Sequence, residues 1–219
     1  MIERYRVDYP GEFVITNITI RKGKKEETRE WIANPIVVNH VSERATCIAY
    51  SPDIKDSLYE RIQKNNGGNL GKLRMQVYGD ESVWEKLEPN FLVSYNTEIL
   101  ENMIKHGYTQ KTIIYTSSSK CIKYPGEFYL MQQSISLQPQ PASVWLACFD
   151  GHKEIYMVGF DDDGSTIKQK MINSVATIMR TYRDVKFIQV TDIHSHDTWK
   201  KEINFESMDF NTYISHCDV

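Results

Sequence analysis

Six short apolar runs alternate along this chain with stretches of helical periodicity, and that alternation restricts the fold more than any other feature. The runs are Thr46 to Tyr50, Leu73 to Tyr78, Phe91 to Tyr95, Thr112 to Thr116, Glu154 to Phe160 and Val185 to Val190. Between them Ser51-Pro52 opens a helix to about Lys64, and Thr97 to His106 places Ile99, Leu100, Met103 and Ile104 on one face. Ala142 to Phe149 forms a helix stopped by Gly151. Ile167, Met171, Val175, Ile178 and Tyr182 mark the stripe of another. Strands buried on both faces read as continuous apolar runs, and right-handed crossovers through helices make them parallel. The expected fold is therefore α/β, a Rossmann-like, mostly parallel sheet with helices on its faces.

The sheet domain spans residues 44–190 in this reading. Residues 1–43 form an extension with a β-hairpin, because Phe13 to Ile20 is rich in β-branched residues, Arg21 to Lys25 is a polar turn, and Thr28 to Ala33 returns. Residues 191–219 form a C-terminal tail too apolar to stay solvated, with Trp199, Ile203, Phe205, Met208, Phe210, Tyr213 and Ile214. Its spacing is too irregular for a helix, so it is expected to dock along the sheet edge. Trp31 and Trp199 lie outside the six-strand region and are candidates for an interface. Tyr-Pro-Gly-Glu-Phe occurs at Tyr9 to Phe13 and again at Tyr124 to Phe128, which reads as two similar type II turns.

Net charge is −3 and the cations are dispersed, which argues against nucleic acid as a partner. No apolar run reaches the roughly 18 residues of a membrane span, and the N-terminus lacks the apolar stretch of a signal peptide. Cys47, Cys121, Cys148 and Cys217 form no Cys-x-x-Cys pair and read as reduced thiols. The expected location is the cytoplasm of a host cell, or a virion.

In such a sheet, ligands bind beyond the C-terminal strand ends near the reversal of strand order. That singles out Ser51 to Asp53, Gly79 to Ser82, Ser94 to Asn96, Ser117 to Ser119 and Asp161 to Asp163. Cys47 to Asp53, Tyr78 to Ser82 with the following Trp84 to Val93, and Gly151 to Asp161 together resemble the bacterial sialyltransferases. More widely, they resemble glycosyltransferase-like Rossmann proteins of bacteria and tailed phages. With Tyr124 to Phe128 and the ending Cys217-Asp218-Val219, the pattern is especially similar to proteins of marine tailed phages.

The resemblance implies a nucleotide cleft at Ser51, Asp53, Gly79, Asp80, Glu81 and Asn96. It also shows departures: Ala49 and Ser51 stand where the family has phosphate-turn glycines, Asp53 where it has serine, and Glu81 where it has asparagine. Each added carboxylate about 4 Å from a phosphate costs on the order of 4 kcal/mol at an effective dielectric near 20. The expectation is a vestigial cleft with no bound cofactor, in a non-catalytic phage-type interaction or assembly protein, including a virion role, whose partners are other protein chains. The alternative is a nucleotide-sugar-dependent glycosyltransferase with a divergent site.

Asp161 and Asp163 offer the Asp-x-Asp spacing of a divalent-metal site, but an acidic turn capping the next helix is the preferred reading. His194 to Asp197 reads as a solvated loop rather than a metal site, and Ser117 to Lys120 as a polar loop rather than a phosphate loop. His152 falls in a turn at the wrong end of the sheet for chemistry.

Overall fold

The structure is a computed structural model and describes residues 12–21, 23–33, 43–52, 54–66, 75–131, 137–161, 166–193 and 195–217. For 12–21, 25–33, 63–66, 166–167 and 217 only the backbone is described. The hairpin pairs β1 (Glu12–Arg21) antiparallel with β2 (Lys24–Ala33). What Trp31 packs on lies outside the described side chains.

All six expected strands share one sheet. They are β3 (Arg44–Ile48), β4 (Gln76–Asp80), β5 (Phe91–Val93), β6 (Ile113–Thr116), β8 (Glu154–Val158) and β9 (Lys186–Val190). Two more strands complete it, β7 (Tyr129–Leu130) and β10 (Phe205–Met208). The order is β10-β9-β8-β3-β4-β5-β6-β7, and every neighbouring pair is parallel. This is a Rossmann-like sheet. The chain lays β4 to β7 on one side of β3 and then returns to its other side with β8, so strand order reverses between β3 and β8.

Side chains alternate across the pleat, which gives each of the six central strands buried residues toward both helix layers. One layer is α4 (Pro139–Phe149) and α5 (Thr166–Thr181), packed on Ala45, Cys47, Tyr78, Phe91 and Met157. α4 is apolar almost all round, because it lies between the sheet and α5. The other layer is α1 (Asp56–Asn66), α2 (Thr97–Lys105), α3 (Ser118–Lys123) and α6 (Phe210–Cys217), packed on Ile48, Val77, Leu92, Ile114 and Ile188. Cys47, Cys121 and Cys148 are free thiols in these layers.

Several local expectations need correction. α1 begins at Asp56 rather than beside Ser51, because Ser51 and Ile54 close a turn first (Ile54 N to Ser51 O, 3.2 Å). Gly79 does not end its strand but pairs with Leu92 and Ile48 inside the sheet. Ser117 to Lys120 is not a loop but the start of α3. His196 is not solvated: it is 7% exposed, its Nε2 donates to the Phe160 carbonyl at 2.9 Å, and its ring meets Trp199 edge-on at 4.2 Å. Trp199 itself is fully buried and donates from Nε1 to Ile172 O at 2.9 Å, so it belongs to the core rather than to an interface. The second Tyr-Pro-Gly-Glu-Phe segment makes the expected turn, with Gly126 at φ +85° and Glu127 N 3.3 Å from Tyr124 O. The first copy lies largely outside the described residues.

Candidate functional site

In a sheet of this topology a ligand site lies beyond the C-terminal strand ends where the order reverses, which here are the ends of β3 and β8, with the turns after β4 and β5 beside them. In a phosphate-binding turn the amides after the first strand point outward, toward the anion. Here they are occupied within the protein. Ala49 N donates to Val158 O (2.9 Å), Tyr50 N to Ser82 Oγ (2.8 Å), and Ser51 N to the Tyr59 hydroxyl (3.1 Å). Tyr59 passes its own proton back to Ala49 O at 3.3 Å, so the turn and α1 are tied together.

β8 presses on the same turn. Gly159 sits at φ +79°, and a Cβ there would lie 2.1 Å from Ala49 O. Only glycine allows this approach, and it brings the two strand ends together where a ligand would otherwise enter.

The turn after β5 is an anion cradle. The backbone amides of Tyr95 and Asn96 and the Ser94 hydroxyl converge on one point, and the Glu81 carboxylate occupies it. Glu81 Oε2 accepts from Ser94 Oγ at 2.7 Å, Tyr95 N at 3.1 Å and Asn96 N at 3.2 Å. Successive amides aimed at one oxygen form the kind of concavity that holds free anions elsewhere. The Asn96 side chain is engaged too, capping α2 through Glu98 N (3.0 Å) and Ile99 N (3.4 Å).

Asp80, next to Glu81, is 7% exposed. Its Oδ1 accepts from Ser82 N at 3.0 Å and from the Ser82 hydroxyl, whose oxygen in turn accepts from Tyr50 N. Burial pushes its pKa up to about 6, helped by the Glu81 charge. The Ser82 hydrogen bonds and the Lys168 ammonium on α5 act in the opposite direction. A carboxyl whose folded pKa exceeds its unfolded value of 3.8 favours the native state fully below that value, and the contribution is lost as pH rises through about 6. At about 1.4 kcal/mol per pH unit, ionised Asp80 costs on the order of 3 kcal/mol at neutral pH. Asp80→Asn, which keeps an acceptor for Ser82, is therefore expected to stabilise the protein by about 1–3 kcal/mol at pH 7 and not at pH 4. Denaturant melts at the two pH values check this, and equal effects at both would contradict the assignment.

Gly79 is fixed by packing, since a Cβ would lie 2.9 Å from Pro89 Cγ and 2.9 Å from Val83 Cγ2. Ser51 is buried beside Tyr59. Asp53 and Asp163 lie outside the described residues. Asp161 is buried and accepts from Thr191 Oγ1 at 3.1 Å, which fastens the β8 end to the β9 end. Among the described residues no group of three or more His, Cys, Asp or Glu side chains is placed to hold a metal ion. None of their helices is long and apolar enough to cross a membrane.

Ser51, Gly79, Asp80, Glu81 and Asn96 thus sit around one end of the sheet, whereas His152 is buried at the other. The sequence reading names Ser82 and Ser94 only as members of the strand-end loops, without a role, and does not name Lys168. Ser82 and Ser94 were inside the singled-out loops, but no pattern separates a hydroxyl that serves a neighbouring carboxylate from one facing water. Lys168 carried a usable signal: it lies in the first turn of the helix after β8, and that turn lies at the C-terminal strand ends in this topology. No family model matches the chain, and no curated protein matches it in sequence.

Proposed function

We propose that this chain is a non-catalytic interaction or assembly protein of phage type, on a glycosyltransferase-like scaffold whose nucleotide cleft is closed by the protein's own groups. The observation that carries the reading is the Glu81 carboxylate in the Ser94–Asn96 cradle. An anionic ligand has to displace a tethered carboxylate that holds three hydrogen bonds, and the β3 turn offers it none of the amides of Ala49, Tyr50 or Ser51. Charge-assisted bonds contribute about 1.5–3 kcal/mol each. Breaking them offsets much of the roughly 8 kcal/mol of a micromolar affinity. In this reading the partners are other protein chains, and no cofactor is required.

One feature favours the second reading, a divergent nucleotide-sugar-dependent glycosyltransferase. Asp80 is a buried carboxyl with a pKa near 6, facing a lysine charge at the strand ends, and such groups recur as general acids and bases. Calorimetry with cytidine and uridine nucleotides and their sugar conjugates, with and without manganese, separates the two. The expected result is no saturable heat up to millimolar ligand. A dissociation constant in the low micromolar range would restore the enzyme reading. Glu81→Ala provides the positive control. With the carboxylate gone, added phosphate is expected to shift the amide resonances of Tyr95 and Asn96, which it leaves unmoved in the native protein.

A further inference from the structure

A groove runs between the start of α1 and α6, where the chain leaves β3 and β10. It encloses about 330 Å³. Ile54 and Leu58, both 5% exposed, form its floor, and the half-buried rings and branches of Phe210 and Ile214 form one wall. This space suits one or two apolar side chains of a ligand.

The charge on the rim is unequal. Lys55 and Arg61 line the groove, both are exposed, and neither makes an ion pair among the described residues. Asp56 holds Lys86 at 2.9 Å, and Asp192, the one carboxylate among the lining residues, accepts the Phe210 amide at 3.1 Å where α6 begins, so the lining carries two cations against one anion. Next to Asp192, Ile193 is 55% exposed, one of three large apolar side chains left so open among the described residues. The surface therefore combines an apolar slot, two cations with no ion pair among the described residues, and an apolar shoulder.

We propose that this groove docks a short acidic segment of a partner protein, with one or two large apolar side chains in the slot and carboxylates against Lys55 and Arg61. The proposal rests on the interaction-protein reading and gives that reading a surface. It follows from complementarity. Burial of the apolar side chains supplies affinity, and the two cations select against basic segments and orient the chain. A small free anion satisfies the cations but leaves the slot unfilled.

The test uses the full chain and a fluorescent, end-blocked peptide of sequence Asp-Glu-Leu-Phe-Glu-Asp. One control peptide carries lysine at each acidic position, and another carries glycine in place of Leu and Phe. Saturable binding below about 1 mM is expected, at least tenfold tighter than either control. Arg61→Glu and Lys55→Glu, both on exposed side chains, are expected to weaken the acidic peptide at least tenfold while leaving the melting temperature unchanged, and Arg61→Glu is expected to improve the lysine peptide. Equal affinity for the acidic and basic peptides, no effect of charge reversal, or pyrophosphate competing as tightly as the peptide would each overturn the proposal. Failure here is distinguishable from failure of the functional reading, because nucleotide binding is measured with its own ligands and the Glu81 cradle is built from residues 81 and 94–96, none of which lines the groove.

Discussion

A chain ending at Ile193 is expected to lose its cooperative thermal transition. The segment beyond it reads in sequence as an apolar tail without helical spacing that docks along the sheet edge; in the structure it adds the edge strand β10, as expected, but also the helix α6, and it supplies part of the core. Trp199 is fully buried and hydrogen-bonded to the α5 backbone. Asn204 Nδ2 lies within 3.1 Å of the carbonyls of Met179, Tyr182 and Val185, closing the end of α5. Glu202 receives Arg180 through two nitrogens at 2.8 and 2.6 Å, and β10 extends the sheet by pairing with β9. On the far face, the buried Tyr213 hydroxyl lies 2.8 Å from Thr46 Oγ1 in β3. Emptying a buried tryptophan or tyrosine site costs about 3–5 kcal/mol, and the truncation empties both and exposes an edge strand. The sum rivals the 5–15 kcal/mol of a whole domain. Calorimetry or circular dichroism checks it. Trp199→Phe, which keeps a ring but loses the indole donor, should melt cooperatively at a lower temperature. A truncated chain melting within a few degrees of the full one would show the tail to be passive.

That tail marks where the sequence stops being legible. The six central strands could be read because they are buried on both faces and so spell unbroken apolar runs, such as Phe91 to Val93 and Ile155 to Val158. β10 is an edge strand with Glu206 and Ser207 exposed, so its apolar signal is diluted below recognition. β7 has only two residues, too few for any period. α1 was placed too early because Ser51-Pro52 matches a helix start chemically, while the backbone uses it for a turn that lets Tyr59 reach Ala49. At the cleft, the sequence locates the loops, since topology alone puts them at the strand ends. The sequence also puts a carboxylate, Glu81, in the loop after β4, where it would repel a phosphate. What it does not show is where the carboxylate goes. Three donors from residues 94–96 converge on it, and that convergence is a property of the folded turn between β5 and α2. The same limit applies to His196, whose loop is polar in composition but pinned under the β8 end by Phe160 and Trp199.

At the opposite end of the sheet, Tyr78→Phe is expected to cost about 3 kcal/mol. The Tyr78 hydroxyl, fully buried in the middle of β4, lies 2.9 Å from Asp150 Oδ2 and 2.9 Å from His152 Nε2. Its one proton goes to the carboxylate, so its oxygen accepts from the imidazole, and Nε2 carries the hydrogen. Burial, followed by the Asp150 charge, holds the phenol's pKa well above its ordinary value, so the hydroxyl stays a donor throughout the accessible pH range. Asp150 sits where α4 ends and His152 just before β8 begins, so this single oxygen ties the α4–β8 turn to β4, two places along the sheet from β8 and beyond β3. Phenylalanine fills nearly the same volume and keeps the stack on Phe91 (4.8 Å between ring centres), so packing contributes little to the loss. What remains is the removal of one partner from each of two buried polar groups, one of them a carboxylate, at about 1–3 kcal/mol per group. For a chain of this size 3 kcal/mol lowers the melting temperature by roughly 6–12 °C. A double-mutant cycle of Tyr78→Phe with Asp150→Asn isolates the bridge itself, and a coupling of about 1–3 kcal/mol is expected. Additive effects, with coupling below about 0.5 kcal/mol, would mean that the short contacts carry no energy and that the turn is held by backbone hydrogen bonds alone, such as Lys153 N to Glu43 O at 2.8 Å.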